Sequence, residues 1–422
     1  MKIMVVGGGG REHAIIKKIK ENKNVSQIFA LPGNAGMKND ATCVNIGAKD
    51  ISGIVNFAKE NKIDFAVVAP DDPLVLGAVD ALNEIGVRCF GPDKKAAIIE
   101  GSKVFSKNLM KKYNIPTAQY EVFSEMDKAL EYLNTCAYPT VIKADGLALG
   151  KGVTIAEDKK AAKDAIRSIM QDKIFGESGN NVVIEEYLTG PEVSVLCFTD
   201  SKCIKPMVSS MDHKRIYDND KGPNTGGMGT IAPNPYYTKQ VAKRCTDEIF
   251  IPTINAMNSE GRPFKGCLYF GLMLTENGPK VIEYNCRFGD PETQVVLPLL
   301  KSDLLEIMMA TESETLESTP VVFSDSSAAC VVMASDGYPI KYETGFEIKL
   351  PVDLKQNEHI FIAGAKDVNG VTVTAGGRVL GATAVENSLK DAVKSAYLLV
   401  DKIKFKNAVW RKDIGSKALK GE

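Results

Sequence analysis

The first hundred residues alternate short apolar runs with amphipathic ones, and few architectures accept that rhythm. Lys2–Val6, Gln27–Ala30, Phe65–Ala69 and Val87–Phe90 read as buried strands. Glu12–Lys20, Ile51–Glu60 and Val75–Ile85 read as the helices between them. Strands that are apolar throughout and separated by helices predict βαβ units around a parallel sheet. From Gly101 the pattern changes: helix Lys103–Lys112, short strands, helices Met126–Leu133 and Lys159–Met170, then the strand Val182–Glu186. From Glu192 to about Pro298 strands dominate around a polar, Gly- and Pro-rich stretch, Ser210–Pro235, whose length predicts a binding loop. After about Ser324 come strands Ala328–Met333, His359–Ala363 and Val371–Thr374, a hairpin-like GGRVLGATA segment and helix Ser388–Lys402. A chain of 422 residues exceeds one core. The expected divisions are 1–100, 101–325 and 326–422.

Lysine plus arginine (52) nearly balance aspartate plus glutamate (53), which argues against a general nucleic-acid or membrane-surface binder. The start, MKIMVVGGGG, is a strand entering a glycine turn and lacks a signal peptide's apolar region. Nine cysteines without a CxxC pair predict reduced thiols in a cytoplasmic protein.

The chemistry concentrates in Val281–Thr293, VIEYNCRFGDPET. Strand alternation puts Glu283, Asn285 and Arg287 on one face and sends Ile282, Tyr284 and Cys286 to the other. A carboxylate and an amide oxygen suit a hard cation such as Mg²⁺ or Mn²⁺, completed by phosphate oxygens and water. Arg287 then meets the charge that develops in phosphoryl transfer. The bland alternative is a polar strand end at the surface. Gly7–Gly10 fails the dinucleotide fingerprint, because Glu12 or His13 stands where the third glycine belongs and the second strand ends without an acid. It remains a strand–helix turn able to take a phosphate, with Arg11 beside it. Asp145–Gly152 lies between two β-type runs and reads as a hairpin over phosphates, with Lys151 in it and Lys143 before it. No Ser–His–Asp, Cys–His or zinc spacing is present, and His213 reads as structural.

In order along the chain stand GGGGREHA, PGNAG, IKADGLALGKGV, SMDHKR, GPNTGGMG, RFGDPETQ, GGRVL and RKDIG. Together they resemble the phosphoribosylamine–glycine ligase family of the ATP-grasp superfamily. The resemblance implies an α/β and α+β multidomain fold: a Rossmann-like N-terminal domain, ATP-grasp central domains with a mobile lid at about 117–188, and a small α/β C-terminal domain. It implies ATP-dependent joining of glycine to 5-phosphoribosylamine through glycyl phosphate, by a cytoplasmic monomer or weak homo-oligomer that binds neither nucleic acid nor membrane.

Residue by residue, it implies that Lys103, Lys143, Gly150, Lys151, Gly152 and Val153 hold the ATP phosphates. Glu185, Glu186 and Leu188 would read adenine, and Glu192 the ribose. Glu283 and Asn285 would hold the metal, and Arg287, Asp212 and Lys214 would act in catalysis. Gly10, Arg11, Asn34, Ala35 and Gly36 would hold the ribose phosphate of the acceptor, with Asn224, Gly226, Gly227, Gly289, Asp290 and Pro291 lining the substrate pocket. The chain departs from the family pattern at Asp71, Leu149 and Met211, and Gly271 stands where many ATP-grasp enzymes carry a second metal ligand. The alternatives are another carboxylate–amine ligase and a nucleotide-binding module without activity.

Overall fold

The computed structural model describes residues 1–147 and 152–420. The chain opens with an all-parallel sheet in the order Thr42–Cys43, Gln27–Pro32, Lys2–Gly7, Phe65–Val68, Arg88–Phe90. Lys2–Gly7 is its central strand, and Ile3 to Val6 are fully buried, which explains an apolar run without alternation. Two helices here differ from expectation. Gly77, at φ 92°, separates Asp71–Leu76 from Ala78–Glu84 where one helix, Val75–Ile85, was expected. Lys94–Gly101 is an additional helix, capped by the Asp93 carboxylate, which accepts the Ala96 N–H at 2.7 Å.

Residues 120–186 build a separate antiparallel sheet, ordered Tyr120–Phe123, Val182–Glu186, Thr140–Ala144, Val153–Ala156. Helices Met126–Tyr132 and Lys159–Ile166 cover it over a core of its own that includes Leu133, Ile142, Ile166 and Ile184. Thr140–Ala144 and Val153–Ala156 are the arms of the expected hairpin. Ala148, Leu149, Gly150 and Lys151 lie outside the described residues.

A second antiparallel sheet runs Ile204–Pro206, Glu192–Asp200, Lys265–Thr275, Gly278–Asn285. Its core includes side chains from helices Lys239–Cys245 and Ile251–Ser259, which the strand-dominated reading of this region lacks. Ser210–Pro235 is not an open loop. Met211–Asp212 and Gly229–Ala232 join the last sheet, followed in order by Ser327–Ser335, Arg378–Glu386 and Glu358–Ile362. Arg215–Tyr217 and Lys221–Asn224 form a ribbon between them.

The RKDIG segment staples that ribbon down. Arg411, 1% exposed, forks Asp413 at 2.7 and 2.8 Å and donates to Asp220 at 2.8 Å and to the Arg215 carbonyl at 3.1 Å. GGRVLGATA is not a hairpin: after Gly376–Gly377 it runs into the single strand Arg378–Glu386, in which Gly381 makes room for Cys330 instead of turning the chain.

Candidate active site

Gly271 faces Glu283 across the antiparallel pair, and the next pair joins Leu272 to Val281, so Ile282 is the extra residue of a β-bulge. Val281 and Tyr284 therefore enter the core while Ile282 stays half-buried, which corrects the simple alternation. The polar face survives the bulge. Glu283 is 35% exposed with Lys214 Nζ 3.9 Å away, and Asn285 Oδ1 accepts from Arg287 Nη2 at 3.1 Å. Cys286 packs inward, and its N–H donates to Glu100 at 2.7 Å.

Burial acts to raise the Glu283 pKa, but Lys214, Lys143, Lys103 and Arg287 outweigh it and hold the carboxyl below its ordinary value. An ionised carboxylate beside an amide oxygen fits a hard cation. Gly271 opposite supplies no second acid. Among the described residues no group of three or more His, Cys, Asp and Glu side chains could complete a cage, so phosphate and water are needed for the shell. Arg287 pairs with Glu100 at 3.2 Å, and its Nε is buried without a partner. A buried donor left unmade is costly, and a ligand oxygen would satisfy it. Asp71 also belongs here: burial acts to raise its pKa, but Arg287 and Arg11 hold it below the usual value.

Behind the Glu283 face, Lys143 donates to the Ile282 carbonyl at 3.0 Å and pairs with Glu185 at 3.0 Å. Lys107 takes the other Glu185 oxygen at 3.0 Å and donates to Thr117 at 2.8 Å. Glu185 is thus buried between two lysines and is not an exposed strand end. Burial pushes Lys107 down to about 8 against the pull of Glu185. Lys103 donates to the Gly146 carbonyl at 2.8 Å, and the Gly152 carbonyl accepts the Ala144 N–H at 2.9 Å beside Val153. Glu186 binds Lys280 at 2.7 Å, Leu188 lies half-buried beyond the strand end, and Glu192 pairs with Lys214 at 3.2 Å.

Glu185→Gln is expected to cost about 3 kcal/mol of stability in chemical unfolding, since two buried ammonium groups lose their shared anion. Adding Lys107→Met should recover about 1 kcal/mol or more of that loss. Strictly additive losses would mean the three groups do not act together.

Around the glycine turn, Asp212 and Pro291 flank Gly227 so closely that a Cβ there would sit 2.7 Å from Asp212 Oδ1. Burial and the neighbouring Glu292 push the Asp212 carboxyl well above its ordinary range, against Lys214 and Arg378. Burial likewise acts to raise Asp290, but Arg378, Arg11 and a hydrogen bond from Gln294 hold it below its usual value. The Gln294 amide reaches Asp290 at 2.6 Å. Gly289 is packed against Glu292, and Asn224 lies half-buried opposite Arg215. Both His213 ring nitrogens are engaged, by the Gly229 carbonyl and by the Gly415 N–H, each at 3.1 Å.

The amino-terminal turn differs from the free anion cradle expected of it. Glu12 fills the helix end: it accepts the Gly9 N–H at 2.6 Å and Arg11 Nε at 2.6 Å. Asn34 donates to the carbonyls of Gly8 at 2.9 Å and Ile362 at 2.8 Å and accepts the Gly36 N–H at 2.8 Å. With Ala35 in a single 3₁₀ turn and Gly36 against Ile362, this segment clamps the first sheet to the last. It still abuts the Asp290 turn, because a Cβ on Gly9 would lie 3.3 Å from Asp290 and one on Gly10 would lie 2.6 Å from the Gln294 amide.

Three family models lie end to end on this arrangement: the phosphoribosylglycinamide synthetase N domain over residues 1–100, its ATP-grasp (A) domain over 101–293 and its C domain over 328–417. The chain belongs to the phosphoribosylglycinamide synthetase family. It is 49% identical over 415 residues to a phosphoribosylamine–glycine ligase of Clostridium acetobutylicum, covering 98% of this chain and 99% of that one. The crystal structure of the Thermotoga maritima phosphoribosylamine–glycine ligase matches with TM-score 0.86 at 33% identity, over 98% of this chain and all of that one. A biotin carboxylase domain from Hydrogenobacter thermophilus, bound to MgADP, shares the fold at TM-score 0.75 and 16% identity, over 97% of this chain and 91% of that one.

For this phosphoribosylglycinamide synthetase family member, the fold gathers the strand Gly278–Asn285, Lys103, Lys143, Lys214, Asp212 and the Asp290 turn. Gly150 and Lys151 fall outside the described residues. Glu100, Lys107, Glu292, Gln294 and Arg378 escaped the sequence reading. Glu292, Gln294 and Arg378 sat inside quoted motifs, where a charge or amide amid glycines was the available signal. Glu100 and Lys107 look like ordinary helix-surface residues in the sequence.

Proposed function

We propose that this chain joins glycine to 5-phosphoribosylamine with cleavage of ATP, giving glycinamide ribonucleotide, ADP and phosphate in purine biosynthesis, by way of glycyl phosphate. The observation that carries the reading is the face formed by Glu283, Asn285 and Arg287. It is ringed by Lys103, Lys143 and Lys214, and one buried Arg287 donor is left without a partner. An acid and an amine do not condense at neutral pH, because hydroxide is a poor leaving group; a phosphorylated carboxylate removes that obstacle. Glu283 and Asn285 would hold Mg²⁺ or Mn²⁺, which when bound neutralises nucleotide oxygens. The lysines and Arg287 compensate the charge of the glycine carboxylate as it meets the γ-phosphorus. Asp212, Gly226, Gly227, Asp290 and Pro291 form the acceptor pocket, walled by Gly10, Arg11 and Asn34–Gly36.

The separate core of residues 120–186 supports their motion as a lid that excludes water from the acyl phosphate. All nine cysteines are free, and no helix among the described residues is long and apolar enough to cross a membrane. These features fit a cytoplasmic enzyme. One chain supplies every group named, which suits a monomer or weak homo-oligomer.

The test is a substrate panel with ATP and Mg²⁺. ADP release should require glycine and phosphoribosylamine together, and faster turnover with another amino acid would remove the assignment.

A further inference from the structure

We propose that Arg378, supplied by the last sheet, is a positioning residue for the acceptor: it fixes the Gly226–Gly227 turn to Asp290 so that the amine, and not water, meets the acyl phosphate. This rests on the function proposed above. Arg378 Nη1 donates to the carbonyls of Gly226 at 2.6 Å, Asp290 at 2.7 Å and Gly227 at 3.4 Å, while Nη2 lies 3.5 Å from the Asp290 carboxylate. The guanidinium lies over Gly226 so closely that a Cβ there would sit 2.8 Å from Cζ. Tyr338, also at the last sheet, accepts the Gly226 N–H at 3.1 Å. The Gly226 N–H and carbonyl are therefore both held by groups from residues beyond 330. On the opposite side, Asp212 and Pro291 press on Gly227. The glycine turn is gripped from two sides, and Arg378 fastens it to the Asp290 turn.

Arg378's contacts are with carbonyls and a carboxylate of the protein, which is the pattern of a group that shapes a wall. A wall matters here because two nucleophiles compete. In amide formation the amine lone pair makes the C–N bond, the C–O bond to phosphate breaks, phosphate departs and one amine proton leaves to solvent. With water in the amine's place, a C–O bond forms instead and glycine returns with ATP spent. A shift of about 1 Å in the acceptor can slow its attack by about a hundredfold, while water needs no positioning.

The test measures ADP and glycinamide ribonucleotide in the same reaction for the natural chain and for Arg378→Met, Arg378→Lys and Tyr338→Phe. The natural chain should give one product per ADP. Arg378→Met should fall below about one product per two ADP, with KM for phosphoribosylamine raised about tenfold and affinity for a non-hydrolysable ATP analogue within about twofold. Arg378→Lys, which keeps the charge but loses the fork, should lie between, and Tyr338→Phe should uncouple less. A product ratio that stays one-to-one in Arg378→Met and Arg378→Lys, or analogue affinity that falls as far as KM rises, would overturn the proposal. A natural chain that makes no glycinamide ribonucleotide would instead overturn the function on which it rests.

Discussion

Arg287→Ala is expected to lower kcat by about a hundred- to a thousandfold, while the affinity for a non-hydrolysable ATP analogue changes by less than about threefold. The asymmetry follows from where the charge appears. In the proposed reaction Lys103 and Lys143 would face phosphates that are charged before and after transfer, so they would contribute to ground-state binding. Arg287, two residues past the strand Gly278–Asn285 and held by Asn285 and Glu100, would on the proposed reading meet charge that is largest during transfer. The substitution also strands Glu100. Burial already pushes that carboxyl above its ordinary value, and Arg287 is the main opposing influence. Without it the folded chain keeps a proton on Glu100 at pH values where the unfolded chain has released it. Stability of the variant should therefore fall as pH rises through the raised folded pKa, more steeply than in the natural chain. Adding Glu100→Gln should remove that pH dependence and leave turnover low. Turnover restored by Glu100→Gln would show that Arg287 serves the fold and not the reaction.

The fold was legible wherever a local rule decides the outcome. Lys103–Lys112 has the ends its sequence predicts, and Ser102 caps it, accepting the Phe105 N–H at 3.0 Å. Val182–Glu186 and Val371–Thr374 carry their own β-type pattern. The failures have a common cause. Ile282 leaves the core because of a bulge set by the register of Lys265–Thr275, and a strand read in isolation carries no register. Gly381 looks like a turn in sequence, yet in place it is a point of close packing against Cys330. Ser210–Pro235 looks like a loop until Ser327–Ser335 gives Gly229–Ala232 a partner.

The site divides the same way. Glu283, Asn285 and Arg287 lie within five residues of one another, so alternation places the first two together and the short step past the strand end brings Arg287 onto Asn285. Glu100 reaches the Cys286 N–H across 186 residues, and Arg378 reaches Asp290 across 88. Such partners follow from how sheets stack, which no short spacing encodes. Arg11 and Asn34 show the other side: a glycine turn with a nearby cation predicts a phosphate cradle, and in place Glu12 takes the Gly9 N–H and Arg11 Nε while the Asn34 amide goes to the Gly8 and Ile362 carbonyls.

Glu283→Gln is expected to raise the Mg²⁺ concentration needed for half-maximal activity by about tenfold or more and to lower kcat by about a hundredfold. Nucleotide binding supplies a second readout with the opposite sign. Lys214, Lys143 and Lys103 all act on the Glu283 carboxylate, so its negative charge offsets their field where the phosphates are proposed to bind. Removing that charge leaves the lysines freer to attract phosphate, and metal-free ADP should bind Glu283→Gln at least about twofold more tightly than it binds the natural chain. The gain in affinity that Mg²⁺ gives to ADP should shrink in the variant, because the added cation loses its anionic ligand. Asn285→Ala should move the metal requirement in the same direction but less far, since an amide oxygen carries no net charge. Calorimetric titration of ADP with and without Mg²⁺ separates these terms. If Mg²⁺ strengthens ADP binding equally in Glu283→Gln and in the natural chain, the cation is held by other groups and the strand Gly278–Asn285 is not the metal strand.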